Sequence, residues 1–403
     1  MAKVVQPVLA GVVTALVGFA SSFAVVLAGL RAVGADERQA ASGLFALCLG
    51  IGLTAIALGL RHRMPITIAW STPGAALLAA TGPVPGGFAA AEGAFLVAGA
   101  LIVAAALFPL LSRWITAIPV PMASAMLAGV LLDLCLAPAQ AVVQIPWLAV
   151  PVVLVWAALY RLARPWAVPG ALVAAVVAIA VTGTDQPIRA LPPELALTAP
   201  TFDAAAIVSI GVPLFLVTMA AQNVPGMAVL AGFGYHPPVR PTLAVTGVAS
   251  MGAALFGGHA LNLAAITAAL AAGPEAGPDP KRRWIASVTA GAGMIGLGLT
   301  GGLAMALVLV SPPVLIEAVA GLALLGAFAG ALVAAVTPVE GRDAAIVTLV
   351  VTASGMTLFG VGAAFWGLVA GALMHLLHRR RPGRADQTDG TPAVAAAAAS
   401  RVV

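Results

Sequence analysis

Long apolar runs, separated by short clusters of charged residues, proline and glycine, recur along the whole chain. Most of them approach the ~20 residues that an α-helix needs to cross a hydrocarbon core of about 30 Å. The breaks divide the chain into about fourteen predicted membrane segments: 5–30, 40–60, 65–80, 88–111, 120–136, 146–161, 167–183, 204–231, 240–256, 258–272, 284–309, 313–336, 343–355 and 357–378.

The third segment is short and is interrupted in its middle. Residues 66–70 (Ile-Thr-Ile-Ala-Trp) are β-branched and aromatic, which favours an extended backbone. Ser71, Thr72 and Pro73 then supply an N-cap residue followed by proline in the first helical turn. The pattern predicts a short strand followed by a half-helix over 73–81.

The tenth segment occupies the corresponding place in the second half of the chain. Its residues 258–267 (Gly-His-Ala-Leu-Asn-Leu-Ala-Ala-Ile-Thr) are apolar apart from a few polar side chains. Asn262 is predicted to cap a second half-helix over 263–272. A pair of interrupted segments at matching positions in two halves indicates a transporter's substrate site.

Composition shows that lipid is the solvent for most of this chain. Hydrophobic residues make up 62% of it and charged residues 8%, with a mean hydropathy of +1.08, whereas a soluble domain carries about 25% charged residues. We therefore expect an all-α polytopic membrane protein. The first apolar run is too long for a cleavable signal peptide and is predicted to be the first span.

The basic residues fix the predicted orientation. With the N-terminus inside, the cytoplasmic loops and both termini hold all of the 19 Lys and Arg residues except Arg31, Arg38 and Arg189. This agrees with the positive-inside rule and places both termini in the cytoplasm. The sequence pI near 10.0 thus reflects topology, and no nucleic-acid partner is expected.

The loop over 184–203 separates seven predicted segments from seven more. Because seven is odd, a second copy of the first half enters the membrane in the opposite orientation, and short internal matches such as Val-Leu-Ala-Gly at 26–29 and 229–232 agree with an inverted repeat. The predicted units are a first repeat (1–183), an extracytoplasmic linker (184–203), a second repeat (204–378) and a disordered cytoplasmic tail (379–403).

This topology predicts an anion site made of backbone. The third segment enters from the cytoplasm and the tenth from outside, so both half-helix N-termini meet near the bilayer centre, where unpaired N–H groups and the helix dipoles favour negative charge. Gln222 and Asn223, before a proline in the eighth segment, and Ser21 and Ser22 in the first are further candidates. Simple capping, helix kinking and interhelical hydrogen bonding remain the alternative roles for all these polar side chains.

Four ionisable residues are candidates for proton coupling: Glu92, Asp133, His259 and Glu317. The alternative for His259 is a structural donor, and the three acids lie close enough to predicted segment ends to reach the interface. Cys48 and Cys135 fall in apolar runs and suggest neither a disulfide nor a metal site. We expect no metal and no cofactor, and with no nucleotide-binding loop or paired intramembrane carboxylates an enzyme is disfavoured.

Several longer motifs resemble those of the benzoate/proton symporter (BenE) family. They are Ala-Trp-Ser-Thr-Pro-Gly-Ala-Ala-Leu-Leu at 69–78, Ala-Ser-Ala-Met-Leu-Ala-Gly-Val-Leu-Leu at 123–132, Gln-Asn-Val-Pro-Gly at 222–226, Gly-Tyr-His-Pro-Pro at 234–238, Asn-Leu-Ala-Ala-Ile-Thr at 262–267 and Ala-Phe-Trp-Gly-Leu-Val-Ala-Gly at 364–371. The resemblance spans nearly the whole chain. It implies proton-coupled uptake of benzoate across a bacterial inner membrane.

This family in turn resembles, more distantly, the uracil and nucleobase–ascorbate transporters. That likeness implies a core domain of spans one to four and eight to eleven, and a gate domain of the other six that mediates homodimerisation. It places substrate between the third and tenth segments, with Ser71, Thr72 and Gly74 beside it. Where the nucleobase transporters carry acidic residues, this chain has Gln222 and Leu261, and neutral groups suit an anionic substrate.

The sequence thus predicts a secondary symporter for protons and a small aromatic carboxylate, working by alternating access. An anion uniporter or channel of the same fold is an alternative. So is a symporter for another small organic anion or a nucleobase-like substrate.

Overall fold

The computed structural model describes residues 2–108, 119–182, 192–265, 267–359 and 361–379, and most of them are helical. In the first half, the elements are α1 (Ala2–Ala20), α2 (Phe23–Ala32), α3 (Glu37–His62), β1 (Ile68–Trp70), α4 (Thr72–Thr81), α5 (Gly87–Leu107), α6 (Val120–Gln144), α7 (Pro146–Leu162) and α8 (Ala167–Thr182). In the second half, they are α9 (Ala204–Gly232), α10 (Val239–Ala254), β2 (Leu261–Leu263), α11 (Ala268–Ala272), α12 (Trp284–Gly298), α13 (Gly301–Val310), α14 (Pro313–Val336), α15 (Arg342–Ala353) and α16 (Ala363–Arg379).

Seven helical spans in the described ranges are long and apolar enough to cross a bilayer, with α1 and α2 counted together as one. Helices α12 and α13 make an eighth if their 56° bend is taken as a break within one span. The chain is therefore a multi-pass membrane protein. The predicted tail beyond residue 379 and residues 183–191 around the start of the predicted linker lie outside the described residues.

The third predicted segment folds as expected. Residues 68–70 form strand β1, and helix α4 begins at Thr72. The Ser71 side chain accepts a hydrogen bond from the amide of Gly74 at 3.2 Å, which is the predicted N-cap. The short strand and the half-helix are both confirmed.

The tenth predicted segment differs from the expectation. Asn262 does not cap a helix, because it lies in the middle of strand β2, and helix α11 begins only at Ala268. Strand β2 pairs antiparallel with β1, with Ala69 opposite Asn262. The Ala264 amide also donates to the carbonyl of Thr67 at 2.9 Å, so β1 holds this stretch extended.

Two helix boundaries also correct the prediction. Helix α6 continues to Gln144, past the predicted end at 136 and through Pro138, which packs against Gly321 of α14, where an added Cβ would lie 2.9 Å from the proline Cδ. Asp133 therefore lies in the middle of α6, and its predicted place near a segment end was wrong. Helix α15 ends at Ala353 and α16 starts at Ala363, since Gly355 (φ +63°) and Phe359 (φ +53°) cannot continue a helix.

The long helix α9 contains two wide turns of π-type. They span Ile207–Gly211 and Met219–Asn223, and each precedes a proline, Pro213 or Pro225. Proline has no N–H to donate to the preceding turn, so a wider turn lets the helix continue through it. The second turn is where the sequence placed two amides.

Close helix packing builds two apolar clusters. The larger one contains residues of α2, α3, α4 and α5, of the middle of α6, of α9 and α10, and of part of α14. A smaller one joins the end of α6 with α7, α8 and the start of α14. Glycines allow the backbones to approach: an added Cβ at Gly52 of α3 would lie 2.6 Å from the carbonyl of Gly291 in α12.

Candidate functional site

The two broken segments cross at the buried ladder between β1 and β2. Trp70 pairs with Leu261 and Ile68 with Leu263. The amide of Ser71 extends the ladder by donating to the carbonyl of Ala260 at 2.9 Å. Because the strands are antiparallel, α4 and α11 leave this ladder at opposite ends, and both helix N-termini point back toward it.

A cavity of about 1160 Å³ lies beside the ladder. Its walls come from α1, β1, the start of α4 and α9 on one side, and from α6, α7, α8 and α14 on the other. Thr72 and Pro73 of α4 and Thr267 and Leu270 at α11 all line it, so the first turns of both half-helices border one space. The volume exceeds the roughly 300–1,000 Å³ of typical ligand pockets, which leaves room for water beside a small substrate.

The predicted site residues divide into those that line the cavity and those that do not. Ser21, Ser22, Thr72 and Gln222 line it. Ser71, Gly74, Asn223, Leu261 and Asn262 are buried and do not belong to its described lining.

Gln222 presents an amide to the cavity from the second wide turn of α9. Its side chain is 8% exposed and makes no hydrogen bond to any other residue that the structure describes. A free amide offers two N–H donors and one acceptor. At α4, Ser71 takes the Gly74 amide and Pro73 has no N–H, so the Thr72 N–H is left as the free donor of that turn.

The two serines of the first span make local contacts. Ser21 and Ser22 each donate a hydroxyl hydrogen bond to the carbonyl of Gly18, at 3.2 and 3.3 Å. Ser22 also accepts from the indole Nε1 of Trp70 at 2.9 Å. This bond fixes Trp70 at the cavity wall, where Phe19 packs edge-on against it with ring centroids 5.9 Å apart.

Four residues behind the cavity wall hold the ladder together. The Thr218 hydroxyl donates to the Ser71 oxygen at 2.8 Å, and an added Cβ on Gly74 would lie 2.7 Å from that same oxygen. Asn223 accepts from the Leu263 amide at 2.9 Å and so ties α9 to β2.

Two further polar contacts lie on β2 itself. The Leu261 amide donates to the Ser250 hydroxyl at 2.8 Å. The Asn262 side chain donates to the Leu263 carbonyl at 2.8 Å, which leaves its own buried Oδ1 without a partner in the described ranges. The backbone here is therefore held by side chains from α9 and α10 as well as by β1.

The four ionisable candidates occupy two different environments. Glu92 of α5 and His259 before β2 are fully buried. Asp133 of α6 and Glu317 of α14 are exposed on the helix surface. The structure does not bring the four together at one place.

Sequence reasoning missed the part of the cavity wall that α7 and the turn after it supply. Trp156 and Tyr160 of α7 stack with ring centroids 5.0 Å apart, and the Arg164 guanidinium lies 4.8 Å above the Tyr160 ring. All three line the cavity, together with Ser124 of α6. The spacing of four residues between Trp156 and Tyr160 places both on one face of α7 and is the signal in the sequence that could have found them, whereas Arg164 follows just after the helix ends at Leu162.

Comparison with known proteins gives the chain a family context. The family model described as benzoate membrane transport protein (BenE) matches residues 2–377. Inner membrane protein YdcO of Escherichia coli (strain K12) is 39% identical over 373 residues, covering 92% of this chain and 95% of that protein. The benzoate membrane transport protein of Acinetobacter baylyi is 29% identical over 374 residues, covering 92% of this chain and 94% of that protein.

Among solved structures, the transmembrane domain of a cyanobacterium bicarbonate transporter, BicA, has a similar fold. It matches with a TM-score of 0.57 and 16% sequence identity, covering 92% of this chain and 98% of that chain. At this identity the likeness concerns the fold alone.

Proposed function

The chain belongs to the benzoate membrane transport (BenE) family, and from this premise we propose that it takes up benzoate or a similar small aromatic carboxylate together with a proton. It is a membrane transport protein and not an enzyme. The observation that carries the proposal is the cavity beside the β1–β2 ladder, which combines free hydrogen-bond donors with aromatic walls.

The carboxylate of the substrate binds at the first turn of α4. There the Thr72 N–H and the Gln222 amide supply donors, and the N-terminal end of the α4 dipole favours a negative charge. The aromatic ring lies against Trp70 on one side and Trp156 and Tyr160 on the other. No carboxylate lines the described part of this cavity, so nothing there repels an anion.

The remaining predicted site residues shape this pocket from behind. Ser22 orients Trp70, and Ser71 and Gly74 form the start of α4. Asn223, Leu261 and Asn262 keep β2 extended beside β1. Ser21 contributes to the wall of the cavity.

We propose that the helices form fourteen membrane segments arranged as two inverted repeats, 1–183 and 204–378. In this arrangement β1–α4 and β2–α11 are the third and tenth segments, and the cavity lies between the core (spans 1–4 and 8–11) and the gate (spans 5–7 and 12–14). The strongly basic loops lie in the cytoplasm of a bacterial inner membrane, with both termini. Arg164 and the start of α6 both line the cavity and lie at the cytoplasmic end in this arrangement, which supports a cavity that opens toward the cytoplasm.

Alternating access follows from this geometry. Relative displacement of core and gate closes the cavity on the cytoplasmic side and opens a path to the outside, while the ladder and its helix ends move with the core. In a homodimer that forms through the gate domains, the gates stay fixed against each other while the core domains move.

Uptake into proteoliposomes tests the proposal. With an inward acid gradient, labelled benzoate should accumulate inside above its outside concentration, and a protonophore should abolish the accumulation. Label that only equilibrates would show an anion uniporter or channel instead. If benzoate is not transported at all, a thermal-shift screen of aromatic acids and nucleobases on the purified protein identifies the competing substrate class.

A further inference from the structure

Two buried ionisable residues of the core, Glu92 and His259, lie outside the described lining of the substrate cavity, and we call their surroundings the second pocket. Phe88, Glu92 and Phe95 of α5 are four and three residues apart and so share one helix face. An added Cβ on Gly257 would lie 3.3 Å from the Phe88 ring, and Phe95 packs edge-on against His259 with centroids 6.5 Å apart. Glu92 therefore lies between two rings that both contact the turn before β2.

Both ionisable groups in this pocket are poorly paired among the described residues. Neither carboxylate oxygen of Glu92 and neither ring nitrogen of His259 makes a hydrogen bond of ordinary geometry in the described ranges, although the Thr198 side chain lies near the carboxyl and the Ala260 backbone near the imidazole. Within the part of the chain that the structure describes, these are four of the six buried side-chain atoms without a hydrogen-bond partner. Such atoms are rare in folded proteins and need an explanation.

The state of Glu92 follows from its burial. An ionised carboxylate without a partner costs several kcal/mol or more when taken out of water. Burial therefore favours the neutral acid over the carboxylate at Glu92, and the ionised form becomes less costly only when the pocket opens to water or to a partner.

A strap covers this pocket. We define the strap as residues 192–203, which run without helix to the start of α9. Its Thr201 amide donates to the Ala89 carbonyl at 2.9 Å, its Thr198 amide to the Leu255 carbonyl at 3.3 Å, and its Ala196 amide to the Ser42 hydroxyl at 2.8 Å. The strap thus bridges α5, α10 and α3 directly over Glu92.

The charged groups around this pocket are engaged elsewhere or distant. Arg38 of α3 forms an ion pair with Glu194 of the strap. Asp203 caps the Ala206 amide and Asp36 caps α3. Two other charged side chains on the elements packed around α5 are Glu37, exposed in the first turn of α3, and Arg240 at the far end of α10.

We propose that Glu92 carries the coupling proton, that His259 is its polar neighbour in the same pocket, and that the strap is the outer lid of this pocket. The inference rests on the proposed proton symport. A proton from the outer solution binds the Glu92 carboxylate and gives the neutral acid; the same proton leaves to water on the cytoplasmic side, so charge and atoms balance over the cycle. His259 is two residues from β2, which links the pocket mechanically to the substrate cavity.

The test compares two modes of transport by the full-length protein in liposomes. Glu92→Gln keeps the shape of the neutral acid and cannot release a proton. We expect it to exchange labelled for unlabelled benzoate like the wild type but to lose accumulation driven by an acid gradient. The control is Glu37→Gln, the same substitution at an exposed carboxylate in the first turn of α3. This variant should keep both exchange and gradient-driven accumulation. Accumulation retained in Glu92→Gln, or lost in Glu317→Gln instead, would overturn the proposal.

A second measurement covers the case in which Glu92→Gln does not fold. His259→Phe keeps an aromatic ring against Phe95 and removes both nitrogens, and we expect exchange to persist while gradient-driven accumulation falls. The same exchange and accumulation assays in liposomes measure both effects, and loss of exchange together with accumulation in His259→Phe would count against the proposal. If the wild type itself shows no gradient-driven accumulation, the proposed symport fails. If the wild type accumulates benzoate and both variants accumulate it equally well, only the Glu92 assignment fails.

Discussion

At the scale of single residues, adjacent amides in α9 have different surroundings. Gln222 faces the cavity with no side-chain hydrogen bond to another described residue, while the next residue, Asn223, accepts from the buried Leu263 amide. The sequence singled out both as site candidates and had no means to separate them. Which of two neighbours faces a cavity depends on the local helix pitch, and the wide turn at Met219–Asn223 changes that pitch.

This difference leads to a paired prediction. Gln222→Ala should weaken benzoate binding by roughly tenfold or more, because a hydrogen bond to a charged group is worth about 1.5–3 kcal/mol, while the thermal midpoint stays unchanged. Asn223→Ala should instead lower stability by about 1–3 kcal/mol, since it leaves the buried Leu263 N–H unpaired. Isothermal titration and thermal unfolding in detergent measure the two effects. Wild-type affinity in Gln222→Ala would remove that side chain from the substrate contacts.

At the scale of elements, the two broken segments show what local sequence specifies. The start of α4 was predictable because capping and proline act within a few residues, and Ser71 does cap the helix. The start of α11 was not, because the extended state of Asn262 depends on pairing with β1, nearly two hundred residues earlier. Similarly, α6 continues through Pro138, which packs against Gly321 on α14, and nothing near Pro138 in sequence reveals that contact.

The start of α4 offers a prediction at this scale. Gly74→Ala should destabilise the protein by about 1–3 kcal/mol, because the added Cβ would lie 2.7 Å from the Ser71 oxygen and against Leu214, which displaces the cap. Benzoate should then stabilise the variant less than the wild type in thermal unfolding. Gly252→Ala is the matched control, since no atom lies within 4 Å of a Cβ there. Equal melting of the two variants would contradict this account of α4.

At the scale of the whole molecule, hydropathy and charge predicted a polytopic membrane protein, and the family comparison confirmed a transporter. The cavity itself was only half predictable. The wall formed by β1 and the start of α4 follows from the interrupted segments, while the wall with Trp156, Tyr160 and Arg164 comes from packing between distant helices. Sequence periodicity predicts which face of a single helix is apolar. It does not predict which faces of different helices pack against each other.

The charge balance of the transport cycle gives the last prediction. Benzoate carries one negative charge and the coupled proton one positive charge, so their joint movement transfers no net charge. A membrane potential acts on transferred charge at about 2.3 kcal/mol per charge per 100 mV and should therefore leave accumulation unchanged, whereas a pH difference of about 1 unit, worth about 1.4 kcal/mol, should support about tenfold accumulation. Potassium gradients with valinomycin, applied to proteoliposomes at equal internal and external pH, separate the two driving forces. Uptake that follows the imposed potential would mean that benzoate moves with more than one proton, or with none.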